Sequence, residues 1–503
     1  MQSRVSADPC AAGSSWRVAA TLALAATLAG CVSLAPDRQV QQVDSRLPEG
    51  YESADVSGDY RPAAWWAAFE DPVLDSIVER ALAENLDIAE AAARVERANA
   101  QARVSRAALL PSLDAQAGAS YSDSSLAGTA FGGLFGGSGR LRNESYSLGL
   151  GAGYELDLFG RARNGLLASR ADARAAQHDF RAVQLAAAGS VIATYFEIVD
   201  ARRQIELTVL RSQVLADRAN RTEERFRRGL VDSFELYQVR QELRNLQSSL
   251  PQRESALEAA EGRLALLLRD LPEDLRTRID GPMRPRLVFD AVPAGLPADL
   301  LDQRPDVAAA RERLEAARLT IGARRAERFP TLRLNGSLSS QGRELSDPFD
   351  PGQNWALSLA ANVVAPLFDG GRISANIAAA RATYDERAAA YARTVLDAYR
   401  EVTTAIEEYE EQRQRYRLIM AQLSEVESSL DLQARRFEAG VGSYIAYLDA
   451  RRAVYQVRSS LSGAGRDVAL ARLGVHRALG GDWAGNVSLT PVNAKAAAGE
   501  RRE

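Results

Sequence analysis

The chain has 503 residues, a formal net charge of −4 and 46% hydrophobic residues. Its 62 basic residues are interleaved with 66 acidic ones, the pattern of solvated helix faces, which argues against a general nucleic-acid binder. Length alone suggests two to four ordinary domains.

No run of 18 or more residues is continuously apolar, so no transmembrane helix is expected. Val18–Ala29, preceded by Arg17, reads instead as the apolar core of a secretion signal covering residues 1–30. Leu28-Ala29-Gly30-Cys31 follows and resembles the bacterial lipobox. That resemblance implies cleavage before Cys31 and acylation of Cys31, and Val32 after it implies sorting to the outer membrane. The other cysteine, Cys10, lies in the removed segment. Several acyl chains on one residue give firm anchoring.

Residues 31–71, with Pro36, Pro48, Gly50, Gly58 and Pro62, read as an extended tether ending in the packing anchors Trp65, Trp66 and Phe69. Asp71-Pro72 starts a helix to about residue 84. Asn85 or Asp87 caps a second helix to about Leu110, which Pro111 stops. Ser112–Tyr121 then alternates, with Leu113, Ala115, Ala117, Ala119 and Tyr121 on one face. Residues 122–143 form a glycine- and serine-rich loop. Ser145–Leu158 alternates again: Tyr146, Leu148, Leu150, Ala152, Tyr154 and Leu156 on one face, mostly small or polar residues on the other. Such two-faced strands suit a transmembrane β-barrel, with lipid outside and water inside.

After Gly160 a helix is expected to about Arg228, roughly 100 Å long. Val191, Tyr195, Ile198, Arg202, Ile205, Val209, Ser212 and Ala216 give it a heptad seam. Gly229 ends it, and Asp232 or Ser233 caps a return helix to about Asp270. Pro251 inside the return helix should kink or break it. Residues 272–298 are a proline-rich connector.

The pattern then repeats. Arg304–Phe329 is a helix stopped by Pro330, and Thr331–Ser340 and Trp355–Val364 are two-faced strands around a polar loop. Leu367-Phe368-Asp369-Gly370 echoes Leu158-Phe159-Gly160. A long helix with Val402, Ile406, Tyr409, Arg413, Tyr416, Met420 and Leu423 at heptad spacing runs to about Ala439, and a return helix spans Ser443 to about Leu479. Residues 483–503 read as a flexible polar tail. The turns Arg225-Phe226-Arg227-Arg228-Gly229 and Arg436-Phe437-Glu438-Ala439-Gly440 lie 211 residues apart. The chain is therefore divided into a first repeat, 72–283, and a second, 284–482.

The fold class is mixed and mostly α. Four strands cannot close a membrane barrel, because an open edge in lipid leaves backbone groups unpaired. Other copies must complete it: two give eight strands, three twelve, four sixteen, and arithmetic alone does not choose.

The lipobox, the duplicated unit, Leu367-Phe368-Asp369-Gly370-Gly371-Arg372, Arg436–Val441 with Tyr447-Leu448-Asp449-Ala450, and Ala478–Trp483 resemble the outer-membrane factor (TolC-like) family. The closest match is the lipoprotein branch serving resistance–nodulation–division pumps. The resemblance implies a homotrimer with a twelve-stranded barrel continuous with a periplasmic α-helical coiled-coil barrel. It implies a drug or small-molecule export duct, fed by an inner-membrane pump through a periplasmic adaptor. It places a narrow acidic gate after the second glycine turn, at Asp449, with Glu235 of the first repeat as a partner. Ala446 and Gly442 depart from some members, which carry an acid and an arginine there, so any gate is weaker in charge here. The resemblance also makes Arg225, Phe226, Gly229, Arg436, Phe437 and Gly440 the adaptor-docking tips.

No enzymatic chemistry is expected, and no cofactor or metal. The two histidines, His178 and His476, lie far apart on helices and read as surface residues. The alternatives are an outlet for protein secretion, or a lipid-anchored periplasmic scaffold without a pore; the two-faced strands speak against the scaffold.

Overall fold

The computed structural model describes residues 34–36, 64–125, 140–278, 285–292, 304–350 and 354–481. The signal peptide, Cys31, most of the tether and the tail 483–503 lie outside the described residues. A short 3-10 turn, Trp65–Phe69, precedes α1 (Pro72–Glu84), α2 (Leu86–Ala107), β1 (Ser112–Ser125) and β2 (Arg140–Leu156). Next come α3 (Arg161–Arg227), α4 (Ser233–Leu267) and α5 (Pro272–Arg278). The second series is α6 (Pro305–Ala326), β3 (Thr331–Gly342), β4 (Trp355–Val364), α7 (Arg372–Glu438) and α8 (Tyr444–Ala478). The duplication is metrically close: α2 and α6 are each 22 residues, α3 and α7 each 67, α4 and α8 each 35.

Local chemistry sets these boundaries. Asp71 Oδ1 accepts from the Val73 and Leu74 amides and caps α1. Asn85, not Asp87, caps α2, since its Oδ1 accepts from the Asp87 and Ile88 amides at 2.9 and 3.2 Å. Asp232 and Ser443 cap α4 and α8. Pro251 lies within α4 without ending it. The proline-rich connector contains α5, where Pro272 and the acids Glu273 and Asp274 make a favourable first turn.

The four strands form one antiparallel meander in the order β1-β2-β3-β4. Its register keeps like faces together: Ala115 lies opposite Leu150, Leu150 opposite Leu338, and Leu338 opposite Leu357. The same face carries Leu113, Tyr121, Leu334, Leu359 and Val363, all exposed. The reverse face carries Gln116, Gly149 and Ser339 in one row and Asp114, Gly151, Ser337 and Ser358 in another. A one-residue slip at any pairing would mix the two faces.

The chain forms two compact units, each drawing on both repeats. Among the described residues, one joins Arg97–Arg174 to Glu312–Ala389 and residues 34–36. Its helical core packs Ala168 and Ala171 against Ala316 and Leu319. The other takes the remainder, with Ile88, Ala91 and Val95 packed on Phe180 and Ala187.

The heptad seams hold only in part. Val191, Tyr195 and Ile198 are fully buried, but Val209 is 39% exposed, and the buried line moves to Leu207, Thr208, Leu215 and Thr222. A helix of 3.6 residues per turn drifts against a seven-residue repeat, which rotates the seam away. On α7, Val402, Ile406 and Tyr409 are buried while Met420 is 45% exposed. One window of α3 is apolar enough to cross a membrane by composition, yet 56% of it is buried inside the protein.

The tether's aromatics act as anchors: Trp65, Trp66 and Phe69 are buried. Contrary to the expectation of a surface site, His476 is 1% exposed and stacks on Trp65 at 5.5 Å. Burial, with Arg472 adding repulsion, pushes its pKa down to about 3. The folded imidazole is neutral, whereas an unfolded one gains a proton below about 6.5. Stability is therefore full above that value and is lost as pH falls towards 3, by up to about 1.4 kcal/mol per pH unit. The apparent Tm of detergent-solubilised protein should drop between pH 7 and pH 5, and His476→Phe should shrink that drop. An equal drop in both proteins would remove His476 as its source.

Candidate functional site

The two glycine turns share one geometry. Gly229 and Gly440 have φ of +72° and +74°, a left-handed region that favours glycine. The Leu230 amide donates to the Arg225 carbonyl and the Gly229 amide to that of Phe226. Val441 and Gly440 repeat the pattern with Arg436 and Phe437. These paired bonds satisfy carbonyls that each long helix leaves without partners. The turns leave apolar side chains bare: Phe226 is 40% exposed, Leu230 62%, Phe437 42% and Val441 72%. Phe437 also meets Tyr444 and Tyr447, and the Arg221 guanidinium lies 5.2 Å from the Tyr444 ring centre. A side chain at Gly442 would sit 2.8 Å from the backbone of Arg436 and Phe437, so this chain has no room there for the arginine of some family members.

Asp449 lies on α8 and receives a hydrogen bond from Arg218 Nη1 of α3 at 2.6 Å. Arg452 lies 4.0 Å from it and pairs with Glu242 of α4. Thus α8 is tied to both helices of the first hairpin by ion pairs. Arg211 and Arg253 lie near this crossing, and burial, then Arg253 and Arg452, lowers the pKa of Arg211. The expected acidic site is therefore a mixed cluster in which cations outnumber Asp449 and Glu242. Glu235 belongs to a separate pair, with Arg225 of its own turn at 4.0 Å. Arg218 and Arg452 could not be found by local pattern, since the Arg218–Asp449 bond joins residues 231 apart.

At the strand-to-helix junction, Glu155 pairs with Arg161 at 2.7 Å and Arg333 at 3.3 Å. Asp157, inside the alternating stretch Ser145–Leu158, lies just beyond β2 and accepts from the Arg163 amide, holding the first turn of α3.

Cys31 lies outside the described residues, but residues 34–36, beginning three positions on, lie against α6. Arg318 and Arg325 of α6 donate to the Pro36 and Leu34 carbonyls at 2.6 and 3.2 Å. Between them, a side chain at Gly322 would meet the Ala35 backbone at 2.8 Å. The three residues share one helix face. Gly322→Leu should release this arm and raise amide exchange of Leu34 and Ala35 by about tenfold or more, leaving β3 protected. Unchanged exchange would mean the arm is held elsewhere.

Among the described residues no group of three His, Cys, Asp or Glu side chains is placed to hold a metal ion.

A family model described as outer membrane efflux protein matches residues 77–268 and 296–481. The chain is 30% identical to the pyoverdine export outer membrane protein OpmQ of Pseudomonas aeruginosa, over 83% of this chain and 87% of that protein. It is 31% identical to outer membrane protein OprJ of the same species, over 83% and 86%. The structure resembles the open state of the Neisseria gonorrhoeae MtrE outer membrane channel, with a TM-score of 0.77, 27% identity, and 90% and 99% coverage.

Proposed function

The chain belongs to the outer membrane efflux protein family, and from that premise we propose that three copies close one export duct for small molecules. Such proteins are the outer-membrane channels of tripartite efflux systems, and this chain is one of them. The observation that carries assembly is the open four-stranded sheet, apolar on one face and small or polar on the other, and the number three is taken from the family resemblance. Its two outer strands are each paired on one side only, and three copies give a twelve-stranded barrel. Passage is then diffusion through a wet lumen, with no bond made or broken by the protein.

In this reading the first and second repeats, 72–283 and 284–482, each contribute one helical hairpin to the periplasmic tunnel. The exposed Phe226, Leu230, Phe437 and Val441 receive the adaptor, which links the duct to the inner-membrane pump. Asp449 and Glu235 line the narrow end. Their charges act through Arg218 and Arg225, so the gate is an ion-pair latch rather than a bare acidic ring. Cys31 carries the acyl chains that hold the arm at the outer membrane. Small-molecule cargo, rather than secreted protein, is favoured by the relative named for pyoverdine export.

Native mass spectrometry of the detergent-extracted protein tests this reading. The expected species holds three chains, each beginning at an acylated Cys31. A monomer would overturn the trimer, and an unmodified N-terminus would overturn the anchor.

A further inference from the structure

The two repeats meet in the sheet inside the chain, and that junction has an unpacked counterpart at the sheet's outer edges. At the inner junction β2 pairs with β3, Tyr154 opposite Leu334 and Leu156 opposite Leu332. Just beyond the strands, Phe159 stacks on Phe329 with ring centres 4.5 Å apart. Each partner has a match in the other repeat. Phe368 stands 209 residues after Phe159, each preceded by leucine. Leu110 stands 219 residues before Phe329, each followed by proline and each between a 22-residue helix and a strand.

The inner rings stack, with Phe329 37% exposed, whereas the outer residues are bare. Leu367 is 97% exposed, Phe368 93% and Leu110 57%. The strands beside them, β4 and β1, are the opposite edges of the sheet. In the multimeric barrel proposed above these edges form a seam between copies, and we propose which residues meet along it. Phe368 of one copy packs on Leu110 of the next, and β4 pairs with the next copy's β1, Val363 opposite Ala115. The register follows from carrying the Tyr154–Leu334 pairing through the two offsets. It also sets Ala361 opposite Ala117 and Leu357 opposite Tyr121.

The faces of the strands check this register independently. Val363, Ala361 and Leu357 share the apolar face with Ala115, Ala117 and Tyr121. A one-residue slip would place apolar residues of one strand beside the polar face of the other. A two-residue slip preserves the faces but breaks the match of Phe368 to Leu110. Pairing across the seam also satisfies the backbone groups of both edges, which lipid cannot do.

The inference rests on the multimeric channel proposed above and adds the residues that join its copies. Cysteine pairs test it, since directly opposite residues have Cβ atoms about 4.5–5.5 Å apart and diagonal ones about 7–8 Å. Only the first approach disulfide range. Outer membranes carrying Val363→Cys with Ala115→Cys, or Val363→Cys with Ala117→Cys, are oxidised and run on non-reducing gels. Single variants serve as controls for assembly. The first pair should give at least about tenfold more covalent multimer than the second. Phe368→Ala and Leu110→Ala should each lower the temperature at which the multimer dissociates, and together no more than the stronger one alone. Preferential linking of Val363→Cys with Ala117→Cys would overturn the register. No linking by either pair, in protein that native mass spectrometry shows to be multimeric, would overturn the seam. A monomeric species would instead overturn the multimer reading itself.

Discussion

Arg304→Ala should destabilise the folded chain by about 3 kcal/mol and lower the apparent Tm of the solubilised protein by several degrees. Arg304 is only 8% exposed. Its guanidinium donates to both Asp306 oxygens at 3.1 and 2.7 Å, to Glu401 at 2.8 Å and to the Ala478 carbonyl at 2.8 Å. It therefore joins the first turn of α6, the middle of α7 and the last turn of α8. Ala478 closes α8, where carbonyls lack helical partners and a cation is favoured. Alanine would leave that buried carbonyl without its guanidinium donor and two carboxylates without their cation. Both carboxylates are nearly half exposed, so water offsets part of the cost and keeps the estimate at the lower end of the range for a broken buried pair. Arg304→Lys should fall between, since an ammonium cannot serve three partners in a plane. A Tm within one degree of wild type for Arg304→Ala would show that the network is incidental.

Arg218→Ala should shift the channel towards its open form by about a hundredfold. The Arg218–Asp449 bond ties α8 to α3, and its side chains are 19% and 39% exposed. A partly exposed ion pair is worth about 1 kcal/mol. In the trimer proposed above, three copies moving together would multiply that to about 3 kcal/mol, or roughly a hundredfold in the open-to-closed ratio. Asp449→Ala should act the same way. The double variant should exceed neither single, because both remove one interaction. High salt should loosen wild type more than either variant. If Asp449→Ala opened the channel and Arg218→Ala did not, the acid would gate by its own charge rather than through the pair.

Much of this fold is legible in the chain. Alternation of period two, heptad spacing, Asp71-Pro72, the two glycine turns and the repeat place nearly every long element to within a few residues. Strands β1 and β2 extend further towards the loop than alternation suggested, because cross-strand hydrogen bonds continue through polar residues such as Ser122 and Asn143. The surface reading of His476 fails because it shares a buried four-residue line with Ala464, Val468 and Arg472, and the charge of Arg472 hides that line in the sequence. The ion-pair latch was not readable. Asp449 could be singled out by family resemblance, but its cation sits on another hairpin, and nothing local to Arg218 marks it among 62 basic residues. Contacts between distant helices depend on rotation about each axis, which drifts over 67 residues as the partly displaced seams show.

The account stands or falls on whether this chain forms a water-filled pore narrowed at the helical end. The direct measurement is single-channel current across a planar bilayer, with purified wild type and Arg218→Ala side by side. Discrete ion-conducting steps are expected from both proteins, with longer or larger openings from the variant. Folded, multimeric protein that inserts yet passes no current in either form would contradict the channel reading.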